Sequence, residues 1–595
     1  MKFTASEEIL KIIFPGQDIM ADFGYKKLFD LEPSELKKDD LILLASVMSR
    51  YPQLYDNRNF ISRFIARMIE GVMSLFTVEI ERIPAGYTYL AQFIGHDITF
   101  DAKSDRHVTT HLPFDDKEVK AEEIRNKRNP YFDLEAIYGH EKPHPNNEDE
   151  APRCDLMQDS ELPFLKLGYT EAEPFPNDLL RDKEPPFANV VDRRNDENLI
   201  LAQTQVAFTK FHNAIVLELS QSDKYKLESG GFKKTELFNQ ARKLAIRFYQ
   251  TIILEDFLPR FVRPEILADV RQKAGTQELF YQPKDNAMYI PLEFAVAVFR
   301  AGHSMIRDGY NLNKQFPLVS SGTTSISGAS IEDILMQTGR GRFENNGKNV
   351  LSTKWLINWY NFYDIDGSAA LSNKNFNFAE PINTQIVTGI QTLRPDDTAG
   401  DNEIKILKKS LSALDLFRGR KFRLASGKDV ADQIAKRVTE LNILGVDVIS
   451  EIINKLVNAV PDWNTEKKES KENQLNTAFS KNPPLWFYVL AEAELQNDGK
   501  LGIVGSRILA ETFIQLLNES EYSVLQTKWE DEEDEVREFF NKYKITNMAE
   551  MLKFVREMHK NYFDIIYPEG SDRKEYFKKY YPTKDFHFDE LNPLG

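Results

Sequence analysis

The sequence is short of most features by which a protein class is recognised at sight. It has one cysteine, Cys154, in 595 residues, so no intrachain disulfide can form and the chain suits a reducing compartment. Cys154 stands in a polar stretch and reads as a bystander thiol. Basic charge is not in excess. Lys and Arg number 76 against 92 Asp and Glu, and the formal net charge of −16 argues against nucleic acid or an anionic membrane as the main partner. No apolar run approaches the length that spans a bilayer. The N-terminus, MKFTASEEILKIIFPG, carries acids and lacks a long apolar stretch with a small-residue cleavage site. It does not read as a signal peptide, and the expected location is cytoplasmic. There is no internal repeat, and no long alternating run of the kind a dominant sheet requires.

The chain is nevertheless 42% hydrophobic and 12% aromatic, which excludes a mostly disordered protein. Its length fits one large core or roughly two to four domains. Apolar residues recur with helical spacing at Leu201, Phe208, Phe211, Ile215 and Leu219. A second set, Leu237, Ala241, Leu244, Phe248 and Ile252, follows Thr235 as a possible cap. Residues 430–460 read as two helices parted at Gly445, with Ile434, Val438 and Leu441 on one face and Val448, Ile449, Ile452 and Leu456 on another. Residues 101–190, rich in Pro, Asn and charge, read as a long excursion over the surface. Past residue 525, WEDEEDEVREFF and FKKYYPTKDFHFDE suggest a charged helical extension packed on the main domain.

Four segments carry candidate chemistry. In YLAQFIGHDITFD, residues 89–101, Gln92 and His96 are four apart and share a helix face, while Asp97 turns the other way. Pro84 stands upstream at a plausible first-turn position, and Tyr89, Leu90, Phe93 and Ile94 supply an apolar wall. DRRNDEN, residues 192–198, runs straight into the helical pattern of Leu201. EFAVAVFRAGHSMIRDGYNLN, residues 293–313, sets His303 on an apolar helix, with Arg300 one turn away and Gly302 removing a side chain where a flat ligand could approach. LSALDLFRGR, residues 411–420, places one acid, Asp415, in an apolar run. One histidine on an apolar face is usually structural; the ordered set of four segments is what gives each of them weight.

These segments, in this order, resemble the haem peroxidases of the animal peroxidase and cyclooxygenase superfamily, most closely its bacterial members. WLINWYNFYDID at 355–366, PINTQIV at 381–387 and PLWFYVLAEAELQNDGKLGIVGSRILAETFIQLL at 484–517 resemble that family's later helices. The resemblance implies a mainly α, animal-type haem peroxidase fold with little β structure over residues 41–525. An N-terminal segment, 1–40, precedes it and a charged extension, 526–595, follows. It also implies a haem b cofactor with His303 as proximal iron ligand. Asp415 then accepts the other imidazole N–H, where the family often has Asn, and Arg300 pairs with a haem propionate. His96 corresponds to the distal base and Arg194 to the distal arginine, with Gln92 holding water or a small anion beside His96. The implied reaction is reduction of hydrogen peroxide through a ferryl intermediate, followed by oxidation of a small organic donor or halide.

Two departures from the family bear on attachment. Many members link haem through two esters, one from the residue before the distal histidine and one from a Glu in the arginine segment. Here the first position is Gly95, which cannot form an ester, so Glu197 is the single carboxylate left for one. Asn198 excludes the sulfonium bond that a Met makes in one animal enzyme. The family also binds calcium beside the distal histidine. Asp97, Asn129, Asp133, Glu135 and the Tyr131 carbonyl match its ligand positions, and hard oxygen donors suit Ca²⁺. Two other functions come with the superfamily. Fatty-acid dioxygenases use a tyrosyl radical three residues before the proximal histidine, where this chain has Arg300. A haem-binding protein without turnover would have no need of His96 and Arg194 together. Among the remaining histidines, His212 reads as structural, and His107, His111, His140 and His144 as solvated surface. His559 and His587 carry no argument.

Overall fold

The structure, a computed structural model, describes residues 24–49, 82–100, 126–139, 162–170, 177–182, 186–283, 288–316, 319–320, 326–339, 343, 350–365, 367, 376–390, 410–438, 443–461, 463–496 and 498–561. Among these the architecture is helical. Strand pairing is confined to three two-residue ladders, Tyr25–Lys26 with Ile290–Pro291, Gly309–Tyr310 with Ala329–Ser330, and Val319–Ser320 with Ile326–Ser327.

Helices α1 (Lys38–Val47), α2 (Gly86–Ile98) and α3 (Leu199–Leu219) are followed by α4 (Lys234–Ile252) and α5 (Pro264–Gln272). The centre is α2, α3 and α4. Phe93 of α2 stacks on Phe208 of α3 at 4.8 Å, and Tyr249 of α4 meets both edge-on. Burying one such aromatic ring contributes about 1.5–3 kcal/mol. Asn198 starts α3 by accepting the Leu201 N–H at 2.9 Å, as a cap residue does. α2 begins at Gly86, so Pro84 precedes its cap and does not occupy the first turn. α4 begins at Lys234 without a side-chain cap, which puts Thr235 inside the first turn. Its five expected core positions are all fully buried.

Beyond α5, a π turn (Glu293–Val298) passes into a 3₁₀ segment (Phe299–Met305), and neither is the regular α-helix that the sequence suggests around His303. The chain then builds α6 (Leu411–Lys421), α7 (Gly427–Ala435), α8 (Val446–Asn458), α9 (Thr465–Phe479), α10 (Leu485–Gln496) and α11 (Ile503–Glu519). Gly445 is the cap of α8. Ile434, Ile449, Ile452 and Leu456 are buried and Val448 half-buried, while Leu441 lies outside the described residues.

α12 (Asp534–Tyr543) and α13 (Met548–Asn561) rest on α3 and α4. Trp529 and Phe540 stack at 4.3 Å against Phe248, Phe554 meets Phe211 edge-on, and Asp256 accepts the Met548 N–H at 3.0 Å. These residues belong to the same continuous core as α3. FKKYYPTKDFHFDE and His587 lie outside the described residues. So do His107, His111, His140, His144 and Cys154. The stretch read as a surface excursion differs from expectation wherever it is described. Arg128, Phe132, Asp133, Glu135, Leu162 and Leu165 are buried, because the charges there pair with one another and the apolar residues dock on the core. No helix among the described residues is long and apolar enough to cross a membrane.

Candidate active site

The end of α2 and the turn before α3 meet around His96. Asn195 Oδ1 lies 2.7 Å from His96 Nδ1, and Asn195 Nδ2 donates to Gln205 Oε1 at 2.7 Å. With its NH₂ committed to Gln205, Asn195 presents an oxygen to His96, and an amide oxygen can only accept. His96 therefore carries its proton on Nδ1 and a lone pair on Nε2. Burial, with the Arg194 charge next, pushes the imidazole down from 6.5 to about 3. Gln92, one turn earlier, donates to Glu197 Oε1 at 2.5 Å and accepts from Asn198 Nδ2 at 3.0 Å. The same Glu197 oxygen is 3.6 Å from His96 Nε2. One small cluster thus gathers Gln92, His96, Asn195, Glu197 and Asn198.

Arg194 sits behind this cluster. Asp192 caps the 3₁₀ turn Arg193–Asp196 and takes the Arg194 backbone N–H at 2.9 Å, Nε at 3.0 Å and Nη2 at 2.6 Å. Nη2 also donates to the carbonyls of His96 (3.0 Å) and Thr99 (2.7 Å), at the C-terminal end of α2 where free carbonyls favour a cation. The guanidinium covers the Phe100 ring at 4.3 Å. Among the described residues, Arg194 Nη1 carries no hydrogen bond. Burial opposes the charge of Asp192, but Arg194 and Arg128 outweigh it and hold this carboxyl well below the usual range.

A second constellation surrounds His303. In a 3₁₀ turn residues i and i+3 eclipse, so Arg300 and His303 project together toward Asp415 on α6. His303 Nδ1 is 2.6 Å from Asp415 Oδ2, and Arg418 Nη1, one turn along α6, donates to Oδ1 at 3.0 Å. Arg300 Nη1 stands 3.6 Å from the same Oδ1. Arg300 thus has Asp415 as a charge partner, and its side chain is 30% exposed. Asp415 is fully buried. Burial works against its ionisation, and His303, Arg300 and Arg418 together outweigh burial and lower its pKa.

The two constellations meet at Gly95. A β-carbon there would come within 2.7 Å of the Phe299 ring, so the position before His96 is filled by an aromatic side chain from the His303 segment. Around Gly302 the space is open, with nothing within 4 Å of an added β-carbon. The side chains of His303 and Glu197 are 26% and 34% exposed, so each can be reached from solvent.

On the other face of α2, Asp97 is fully buried. Its Oδ1 accepts the Ala136 N–H at 2.9 Å, while its Oδ2, Asn129 Oδ1 and Asp133 Oδ1 are buried without a hydrogen-bond partner. Burial pushes Asp97 up to about 7, and burial together with the Asp97 and Glu135 charges pushes Asp133 well above its ordinary value. The Tyr131–Asp133 stretch is pinned by Phe132, whose N–H donates to Ser520 Oγ and whose carbonyl accepts from Gln250. Leu134, at φ 56°, closes the loop in the left-handed region, a conformation costing roughly 1–2 kcal/mol for such a residue. Glu135 departs from the expected ligand set. Its Oε1 pairs with Arg128 at 2.8 Å and its Oε2 takes the Asn129 N–H at 2.7 Å. A buried arginine has drawn it away. Accordingly, no three His, Cys, Asp or Glu side chains converge as a metal cluster among the described residues, and the orphaned oxygens come from two carboxylates and one amide.

His212 is fully buried between the Tyr138 and Phe238 rings, with Nδ1 2.9 Å from the Tyr138 hydroxyl. Sequence reasoning missed Asn195, Asp192 and Arg128. The first two lie within DRRNDEN, and their adjacency to Arg194 was the available signal. Arg128, 66 positions from Arg194 in a polar stretch, gave none.

A family model described as animal haem peroxidase matches residues 97–351. Similar solved structures include peroxidase A of Dictyostelium discoideum, 14% identical, which covers 90% of this chain and 93% of that one with a TM-score of 0.50. Fatty acid alpha-dioxygenase of Oryza sativa is 14% identical over 92% of this chain and 81% of that one, with a TM-score of 0.48. The Arabidopsis thaliana enzyme of that name is 14% identical over 82% and 72%, with a TM-score of 0.46. At this identity the likeness is one of fold. No curated protein sequence matches the chain.

Proposed function

Because a family model described as animal haem peroxidase matches residues 97–351, we propose that this chain belongs to that superfamily and is a haem peroxidase that reduces hydrogen peroxide and oxidises small organic donors or halides. One observation carries the reading. Each of the two histidines has its Nδ1 committed to an internal oxygen, Asn195 for His96 and Asp415 for His303. Both therefore have Nε2 left for chemistry, and a pair of such imidazoles with an arginine beside one of them suits a haem held on one side and peroxide handled on the other.

The residues fit the cofactor. His303 Nε2 would hold the iron, with the Asp415 carboxylate fixing the ring through Nδ1, and the open space at Gly302 would admit a flat ring. Haem, when bound, supplies the iron at which the O–O bond of peroxide is broken and a donor is oxidised. The chain supplies the rest. His96 takes a proton from peroxide at Nε2 and returns it to the departing oxygen. Arg194 provides fixed positive charge for that oxygen as it becomes negative. Gln92 holds the Glu197 carboxylate beside His96. Gly95 has no carboxylate and Phe299 fills the place beside it, so at most one ester, from Glu197, would join haem to protein.

Three buried oxygens without partners, on Asp97, Asn129 and Asp133, support a calcium ion in the loop, with the Tyr131 carbonyl as a further donor and without Glu135. Burying unpaired carboxylates is costly, and a cation offsets that cost.

The test is an optical spectrum of the haem-reconstituted protein before and after peroxide, followed by addition of a phenolic donor and of halide. A shift of the haem band that the donor reverses is the expected outcome. A haem spectrum indifferent to peroxide would refute the reading, and oxygenation of a fatty acid would replace it.

A further inference from the structure

Between the loop at 129–135 and Arg194 runs a row of buried charges that alternate in sign. Glu135 Oε1 pairs with Arg128 Nη1 at 2.8 Å, and Arg128 Nη2 reaches Asp192 Oδ2 at 3.0 Å. The same Oδ2 accepts Arg194 Nη2 at 2.6 Å. The Arg128, Asp192 and Glu135 side chains are 1%, 0% and 2% exposed. Phe100 lies against both guanidinium groups, at 5.3 Å from Arg128 and 4.3 Å from Arg194. In so dry a setting Asp192 cannot turn without taking its carboxylate from both Arg128 and Arg194. The orientation of Asp192, and with it that of Arg194, is therefore tied to Arg128.

We infer that Arg128 is a positioning residue of the peroxide-handling site, setting Arg194 through Asp192 and joining it to the loop of Asn129 and Asp133. The inference rests on the peroxidase reading and deepens it. At its far end the row meets the loop twice, through the peptide bond from Arg128 to Asn129 and through Glu135, which holds Arg128 with one oxygen and the Asn129 N–H with the other. Asn129 and Asp133 also present unpartnered oxygens, and the Asp133 carboxylate lies within electrostatic reach of Asp97, the neighbour of His96. A cation drawn in there pulls on Asn129, and the pull passes through Glu135, Arg128 and Asp192 to Arg194. A lysine could not replace Arg128, because one ammonium lacks the planar fork that reaches two carboxylates at once.

The test uses the full chain reconstituted with haem, as wild type, Arg128→Lys and Glu135→Gln. Three quantities are measured in each: the rate constant with hydrogen peroxide, the affinity of the ferric protein for cyanide, and the affinity for haem itself. Each is taken with calcium and with a chelator. Arg128→Lys is expected to lower the peroxide rate constant and cyanide affinity roughly ten-fold, the usual scale for a group that orients a reactive neighbour, with haem affinity unchanged. Glu135→Gln gives a smaller loss and removes the difference that the chelator makes in wild type. If Arg128→Lys does not fold, Glu135→Gln carries the test, since Arg128 keeps its bond to Asp192 there.

Wild-type values in the variants overturn the inference. So does a loss that tracks haem affinity, which would make Arg128 part of the scaffold only. If wild type binds haem and cyanide yet ignores peroxide, the peroxidase reading fails instead, and the cyanide series still decides whether Arg128 sets Arg194.

Discussion

His96 and His303 are both imidazoles held at Nδ1 by an oxygen near 2.7 Å. The oxygens differ in kind. Asn195 is a neutral amide fixed by Gln205, whereas Asp415 is an ionised carboxylate fixed by Arg418 and Arg300. A neutral acceptor sets the tautomer and leaves the ring a weak, uncharged base. A carboxylate draws the ring proton toward itself and makes Nε2 a stronger donor to a metal. The difference in role follows from the acceptor and not from the histidine. Depressed basicity alone marks nothing: burial also takes His212 and His559 down to about 3, and both are buried in the core.

The largest expected effect is on His303. His303→Ala should abolish stable haem binding, read from the haem absorbance of reconstituted protein. An unchanged spectrum would mean that another residue holds the iron. Next is His96→Ala, which should slow the reaction with peroxide by about 10² to 10⁴ in rapid mixing while haem stays bound. An unimpaired variant would remove the base from the mechanism.

Exchanging the acceptors tests the comparison itself. Asp415→Asn makes the His303 environment resemble that of His96, so the reduction potential of the bound haem should rise in a spectroelectrochemical titration. Asp415→Ala should also lower stability, because buried Arg418 and His303 both lose the carboxylate they bond to. A potential unmoved by Asp415→Asn would show that the carboxylate is structural. Haem attachment tests Glu197. Acidified organic solvent should release all the haem from Glu197→Gln, before and after peroxide treatment, whatever fraction wild type retains. Retention by that variant would point to a linkage at some other residue.

The smallest effect concerns the two buried histidines, His212 and His559. The folded values of His212 and His559 lie below the ordinary 6.5. Their stabilising contribution is therefore fully present above about pH 6.5 and is lost as pH falls toward about 3. Melting temperatures should decline through that window, and His212→Gln should flatten part of the decline; an identical slope in the variant would exclude His212 as a source.

The helical core was legible in the spacing of apolar residues. Leu237, Ala241, Leu244, Phe248 and Ile252 are buried as their period requires, because a helix that hides one face must repeat it every three or four positions. The segments of His96, Arg194, His303 and Asp415 were legible too, since each motif is contiguous and its internal spacing is set by local geometry. What lies between segments was not. That Asn195 faces His96, that Arg300 turns to Asp415, that Phe299 fills the place beside Gly95, and that Arg128 captures Glu135 from the cation loop are contacts between residues distant in the chain or turned by π and 3₁₀ geometry. Sequence spacing does not encode such contacts. Nor does polarity predict burial at Arg128, Asp192 and Glu135, because a charge is excluded from a core only while it has no partner, and the partners were assembled by the fold.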